Sequence, residues 1–158
     1  MLIDVSGKIK KDMKQLFADA ASFFLLKMLD TTTLKNTIVN IKVRKKLEDS
    51  QDGYCDIVDY DGWNRPREFD VYVQKNVSVR YMLMTLAHEC VHVKQYASGE
   101  LKEGHNLWRY QIVPPDINYW ESPWEIEAFG RERGLYTMYC EKIGMKFNKV
   151  PGIVERDE

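Results

Sequence analysis

One stretch constrains this chain more than any other. Residues 79–97 form a strongly apolar run that contains Met82, Leu83, Met84, Leu86, Ala87, Cys90, Val91 and Val93, and within it lies His88-Glu89-Cys90-Val91-His92. Ser78 precedes the run as a natural helix N-cap and Ser98-Gly99 closes it, so the spacing predicts a largely buried helix over 79–97. On a helix, positions i and i+4 share a face one turn apart. His88 and His92 can therefore reach a single metal ion, and Glu89 falls beside it. Two imidazoles and a carboxylate on a buried helix need partners, because unpaired polar groups there cost several kcal/mol. An ion satisfies all three. The expectation is a zinc site with His88 and His92 as metal ligands and Glu89 as the general base acting on a water. A hydrogen-bonded His/Glu cluster without metal is the plainer alternative.

A third ligand has to come from elsewhere. The extended spacing in which Gly and a third His follow the motif is absent, since Gln95 and Ser98 occupy those positions. The candidates are His105, Asp116, Glu121, Glu125 and Glu127. Ser122 and Pro123 open another predicted helix, which runs to about Ile143 before Gly144 stops it. Counted at 100° per residue, Glu125 shares the apolar stripe with Phe129, Tyr136, Cys140 and Ile143. Glu127 points the other way, where it can pair with Arg131 on the solvent face. Glu125 is thus the favoured ligand, although Ser122 and Glu125 also have the spacing of a capping box. Glu132 lies near the same stripe, placed to hold a His tautomer.

The rest of the chain reads as one α+β domain over residues 1–158, with 151–158 as a flexible tail. A helix is expected over about Asp12–Leu29, ending before Thr31–Thr33. Alternating residues 37–43 and two runs at 54–60 and 68–74 read as a three-stranded antiparallel meander. The predicted order is N-terminal helix, meander, motif helix, a loop region over 99–121, and C-terminal helix. Strand 68–74, running into the motif helix, is expected to line a cleft and to pair with an extended substrate. Tyr119 or Trp120 is expected to border it.

Composition excludes several classes. The chain is 44% apolar and 30% charged with a net charge of -1, so no overall field favours nucleic acid or a membrane surface. Lys42, Arg44, Lys45 and Lys46 form a local basic run, which reads as a solvated strand edge; in a non-catalytic module it could instead meet nucleic acid or an acidic partner. The stretch 20–29 is too short to span a bilayer and carries Lys27. The three cysteines, Cys55, Cys90 and Cys140, form no Cys-x-x-Cys pair and no disulfide framework. A cytoplasmic protein is expected.

Two separated motifs then carry a resemblance. Residues 88–96 with Gly99-Glu100-Leu101, followed by Tyr119-Trp120 and by Pro123-Trp124-Glu125-Ile126-Glu127-Ala128, resemble small phage-encoded zinc metallopeptidases over about residues 68–134. The first sixty residues carry no such likeness. The Glu-x-x-Ala pattern also resembles the third-ligand segment of IrrE/ImmA-like, gluzincin-type peptidases, which implies Glu125 as the ligand. A rival likeness lies in Glu103-Gly104-His105, similar to the third-His segment of SprT-like proteases. Those act on DNA-bound proteins, and the likeness implies His105 instead. Together these imply a minimal zincin-like fold, a protein or peptide substrate, and a host-cytoplasmic setting.

Overall fold

A computed structural model describes residues 1–48, 51–75, 78–102, 104 and 106–145. His105 and the expected tail at 151–158 lie outside these residues. The described elements are β1 (Leu2–Ser6), α1 (Lys11–Met28), α2 (Thr31–Lys35), β2 (Ile38–Arg44), β3 (Gly53–Tyr60), β4 (Pro66–Gln74), α3 (Val79–Ala97), the short strands β5 (Leu101–Lys102), β6 (Leu107–Trp108) and β7 (Gln111–Ile112), a 3-10 turn (Tyr119–Glu121), and α4 (Pro123–Lys142). The fold is α+β. None of the described helices is long and apolar enough to cross a membrane.

The meander is corrected. The main sheet runs β1-β2-β4-β3, with β1 and β2 parallel, β2 and β4 parallel, and only β3 and β4 antiparallel. Burial explains the order. In β2, Val39, Ile41 and Val43 are buried, as are Phe69, Val71 and Val73 in β4, so these two strands take interior positions. β3 offers only Cys55 and Ile57 to the core and leaves Val58 and Tyr60 exposed, so it goes to the edge, where its register breaks between Ile57 and Tyr60. β1 was not expected. It has only Ile3 and Val5 facing the core, and it leaves the sheet through Gly7 at φ 124, where a Cβ would stand 2.4 Å from the Val43 carbonyl oxygen.

α3 is the central helix, packed on β4, β3, α1 and α4. α1 presents Phe17, Ala20, Ala21, Phe24 and Leu25, all fully buried. Their contacts leave α3 exposed to the cleft along one stripe only. As expected, Ser78 caps α3 by accepting from the Tyr81 N–H at 3.2 Å. At the other end, Arg67 Nη1 donates to the Ala97 carbonyl at 2.8 Å and satisfies an end-of-helix acceptor. The helix that carries the motif is therefore held at both ends and on three sides.

Candidate metal centre

α3 and α4 lie side by side, and the motif face of one meets the first three turns of the other. His88 Nε2 and His92 Nε2 are 3.2 Å apart. Glu125 Oε2 lies 3.3 Å from the first and Glu125 Oε1 lies 3.5 Å from the second. Among the described residues, these three bring their ligand atoms within 4.8 Å of one another, close enough that they could hold one metal ion. Donors at roughly 2.0–2.1 Å from a tetrahedral ion stand about 3.3 Å from one another, so the triangle has the size of one face of a zinc site.

Hydrogen bonding behind the rings decides which atoms face inward. His88 Nδ1 lies 2.9 Å from Glu132 Oε2. His92 Nδ1 lies 2.9 Å from Gln95 Oε1. The orientation of the Gln95 amide is fixed, because its Nε2 donates to the Trp124 carbonyl at 2.9 Å and to Glu127 Oε2 at 3.0 Å. Its Oε1 must therefore accept, and His92 Nδ1 must donate. Both neutral rings then aim Nε2 lone pairs at the same point. Glu125 Oε2 adds a third: it is buried and has no hydrogen-bond partner. Three converging electron-pair donors repel unless a cation or a proton lies between them. The donor set fits a divalent ion that favours nitrogen and oxygen ligands.

The titration of these groups follows from the same crowding. Burial works against a charged His88, but Glu125 and Glu132 outweigh it and raise its pKa to about 9. A proton thus occupies the triangle where a cation would go. Burial holds His92 below the ordinary histidine value. Burial also opposes ionisation of Glu125, yet the neighbouring imidazoles and the Tyr119 hydroxyl keep its pKa below the usual carboxylate range. Glu89 is 5% exposed, and burial raises it to about 8, with the Glu125 and Glu132 charges adding to the rise.

The triangle opens into a cleft of about 580 Å³. α3 forms its floor with Thr85, His88, Glu89 and His92. One wall is the edge strand β3 at Gly53, Tyr54 and Cys55; the other is Tyr119, Trp120 and Phe129. The strand lining this cleft is β3. The expectation for strand 68–74 is therefore corrected, because β4 is paired on both sides and has no free edge. Phe129 packs edge-on against the His88 ring at 4.5 Å, and Trp120 packs on Phe129 at 5.1 Å. Tyr81 donates to Asp52 at 2.9 Å and ties the start of β3 to α3.

The structure places His88, Glu89, His92, Glu125 and Glu132, the residues singled out in the sequence, around one cleft. The capping-box alternative for Glu125 is not formed, since the Ser122 hydroxyl turns back to the Asn118 carbonyl at 3.2 Å. Glu127 is corrected: its side chain is only 12% exposed, and besides Arg131 at 3.0 Å it binds Lys94 at 2.8 Å and Gln95. Neither Asp116 nor Glu121 lines the cleft. Gln95 and Lys94 were missed as site residues. The signal available was a Gln and a Lys within the apolar motif helix, both of them buried. No protein-family model, curated protein or solved structure matches the chain.

Proposed function

We propose that this chain is a zinc-dependent peptidase that hydrolyses peptide bonds in an extended polypeptide. The reading rests on one observation, the triangle of His88 Nε2, His92 Nε2 and Glu125 carboxylate atoms at 3.2–3.5 Å. Three protein ligands leave a position for water and substrate, which separates a catalytic from a closed structural site. The chemistry such an ion supplies is Lewis acidity toward the scissile carbonyl and a lowered pKa for an attacking water. The chain's own groups do the rest. Glu89, next to His88 in the cleft, accepts the water proton and returns it to the leaving amine. Its carboxyl sits near pH 8 without a cation, and a positive charge in the triangle draws it down toward working pH. The free edge of β3 offers backbone groups to an extended chain. The Glu125 ligand is the gluzincin-type arrangement, in keeping with the resemblance of the Pro123–Ala128 segment to such peptidases.

The test is metal analysis combined with peptide hydrolysis. The protein purified with zinc should bind one ion per chain and cleave an unfolded protein substrate such as reduced casein. Chelation should abolish cleavage, and zinc should restore it. Glu89→Gln should keep the ion and lose cleavage by roughly three orders of magnitude or more. A variant that keeps full hydrolysis, or a chain that binds no zinc, overturns the reading.

A further inference from the structure

The cleft does not end at the metal triangle. Tyr96 and Leu101 form its far wall and are also the near wall of a second cavity of about 540 Å³. That cavity lies farther along β3, between the β3–β4 turn and the end of α3, with Tyr60, Trp63, Arg65 and Lys102 on its walls. The two cavities differ in charge. Among the described residues, the first is lined by the carboxyl side chains of Asp52, Glu89, Glu125 and Glu132 and by the His88 and His92 imidazoles, with no Lys or Arg, whereas Arg65 and Lys102 are the charged residues lining the second.

The turn that holds the aromatic wall is rigid. Asp61 accepts from the Trp63 N–H at 2.9 Å, the Arg65 N–H at 3.1 Å and Arg65 Nε at 2.8 Å, and Asn64 sits at φ 56. Yet this fixed turn displays Trp63 81% exposed, and the Arg65 side chain remains 58% exposed. A large aromatic ring presented to solvent on a preorganised loop, beside two cations, has the composition of a binding anchor and not of a packing one.

We infer that this second cavity is a distal subsite of the cleft, and that it binds an aromatic and acidic segment of an extended polypeptide substrate lying along β3. The inference rests on the peptidase reading. It adds that the substrate is long, since β3 at 8 residues spans about 27 Å, and that residues remote from the cut bond select it. Phenyl rings of the segment stack on Trp63 and Tyr60, and carboxylates pair with Lys102, since Arg65 is already held by Asp61.

The experiment uses zinc-loaded Glu89→Gln protein and fluorescein-labelled peptides with a common Gly-Ala centre. The flank is Phe-Asp repeats, Phe-Lys repeats or Gly-Ser repeats, placed N-terminally or C-terminally in separate peptides. Anisotropy should show the Phe-Asp peptide binding roughly tenfold tighter than the other two in one of the two orientations. Trp63→Ala and Lys102→Ala should each reduce that advantage severalfold while leaving zinc affinity and Gly-Ser peptide binding unchanged. Equal binding of all flanks, or equal weakening of all peptides by Trp63→Ala, overturns the subsite. Parallel cleavage assays with the active protein separate the two readings. Cleavage without flank preference removes the subsite alone, and flank-selective binding without any cleavage removes the peptidase reading alone.

Discussion

Gln95 Oε1 accepts from His92 Nδ1 at 2.9 Å, and every other polar atom of that fully buried amide is also committed. An amide whose NH2 group donates to two fixed acceptors cannot flip, so the tautomer of His92 is set before any ion arrives. Gln95→Met keeps the volume and removes the acceptor. Zinc affinity, measured by competition with a chromophoric chelator, should fall on the order of 10- to 100-fold. Gln95→Glu keeps the acceptor but turns an oxygen toward Glu127 Oε2 and the Trp124 carbonyl, so its zinc affinity should fall as well. If both variants bind zinc as the parent does, His92 does not depend on this amide.

Removing a ligand separates affinity from stability. Without an ion, the Glu125 carboxylate is held by the imidazoles and the Tyr119 hydroxyl, with Oε2 3.3 Å from His88 Nε2, and an ion adds stability beyond what these contacts supply. Saturating zinc at about 100 times its Kd adds about 2.7 kcal/mol, or roughly 5–10 °C in Tm for a chain of this size. Glu125→Leu should abolish the zinc-dependent rise and, by removing the carboxylate that holds the His88 proton, lower the zinc-free Tm by no more than a few degrees. Thermal melts of both proteins with and without zinc check this. A zinc-free Tm that drops by more than a few degrees would make Glu125 structurally necessary for other reasons.

Much of this centre was legible in the sequence, because helical periodicity is a local property. The 100° count placed Glu125 on the buried face of α4 and led to Glu132 at the His88 ring. Strand order is not local. Residues 38–44 and 66–74 alternate in the same way whichever neighbour they take, so nothing in either run announced that β2 and β4 would pair in parallel with β3 outside them. β1 was hidden because two core-facing side chains in five residues carry too little pattern. Glu127 was misplaced for a related reason. Its turn of α4 faces Lys94 on α3, a residue whose burial follows only from the packing of the two helices.

Gly53 lies where β3 meets the motif helix. A Cβ there would stand 2.6 Å from Thr85 Cγ2, 2.8 Å from the Tyr72 carbonyl oxygen and 3.0 Å from Glu89 Oε1. The first two contacts cannot be relieved by turning a long side chain. Gly53→Val should therefore push the edge strand off α3, destabilising by about 1–3 kcal/mol, and should disturb Glu89. Peptide hydrolysis should drop more than zinc affinity, because the triangle lies on the α4 side of the helix floor. Chemical denaturation, zinc titration and hydrolysis of the same variant test the ordering. Equal losses in binding and hydrolysis would contradict it.

Proton linkage gives the metal-free chain a distinctive pH response. His88 is raised from 6.5 to about 9, so its favourable contribution is complete below the unfolded value and disappears as pH rises through the folded one. Glu89 is raised from 4.5 to about 8, so the fold holds a proton that the unfolded chain releases, and stability again falls with rising pH. His92 and Glu125 are shifted down and act the opposite way, losing their contribution as pH falls through their folded values. Metal-free protein should then lose stability between about pH 5 and pH 9, with further loss on strong acidification. An ion entering the triangle displaces the His88 proton, so zinc binding releases protons and strengthens as pH rises. The zinc-induced rise in Tm should be larger at about pH 8.5 than at about pH 6, and calorimetry in buffers of different ionisation enthalpy should detect the released proton. A zinc shift that is independent of pH would mean that no proton occupies the triangle, and the electrostatic account of His88 would fall with it.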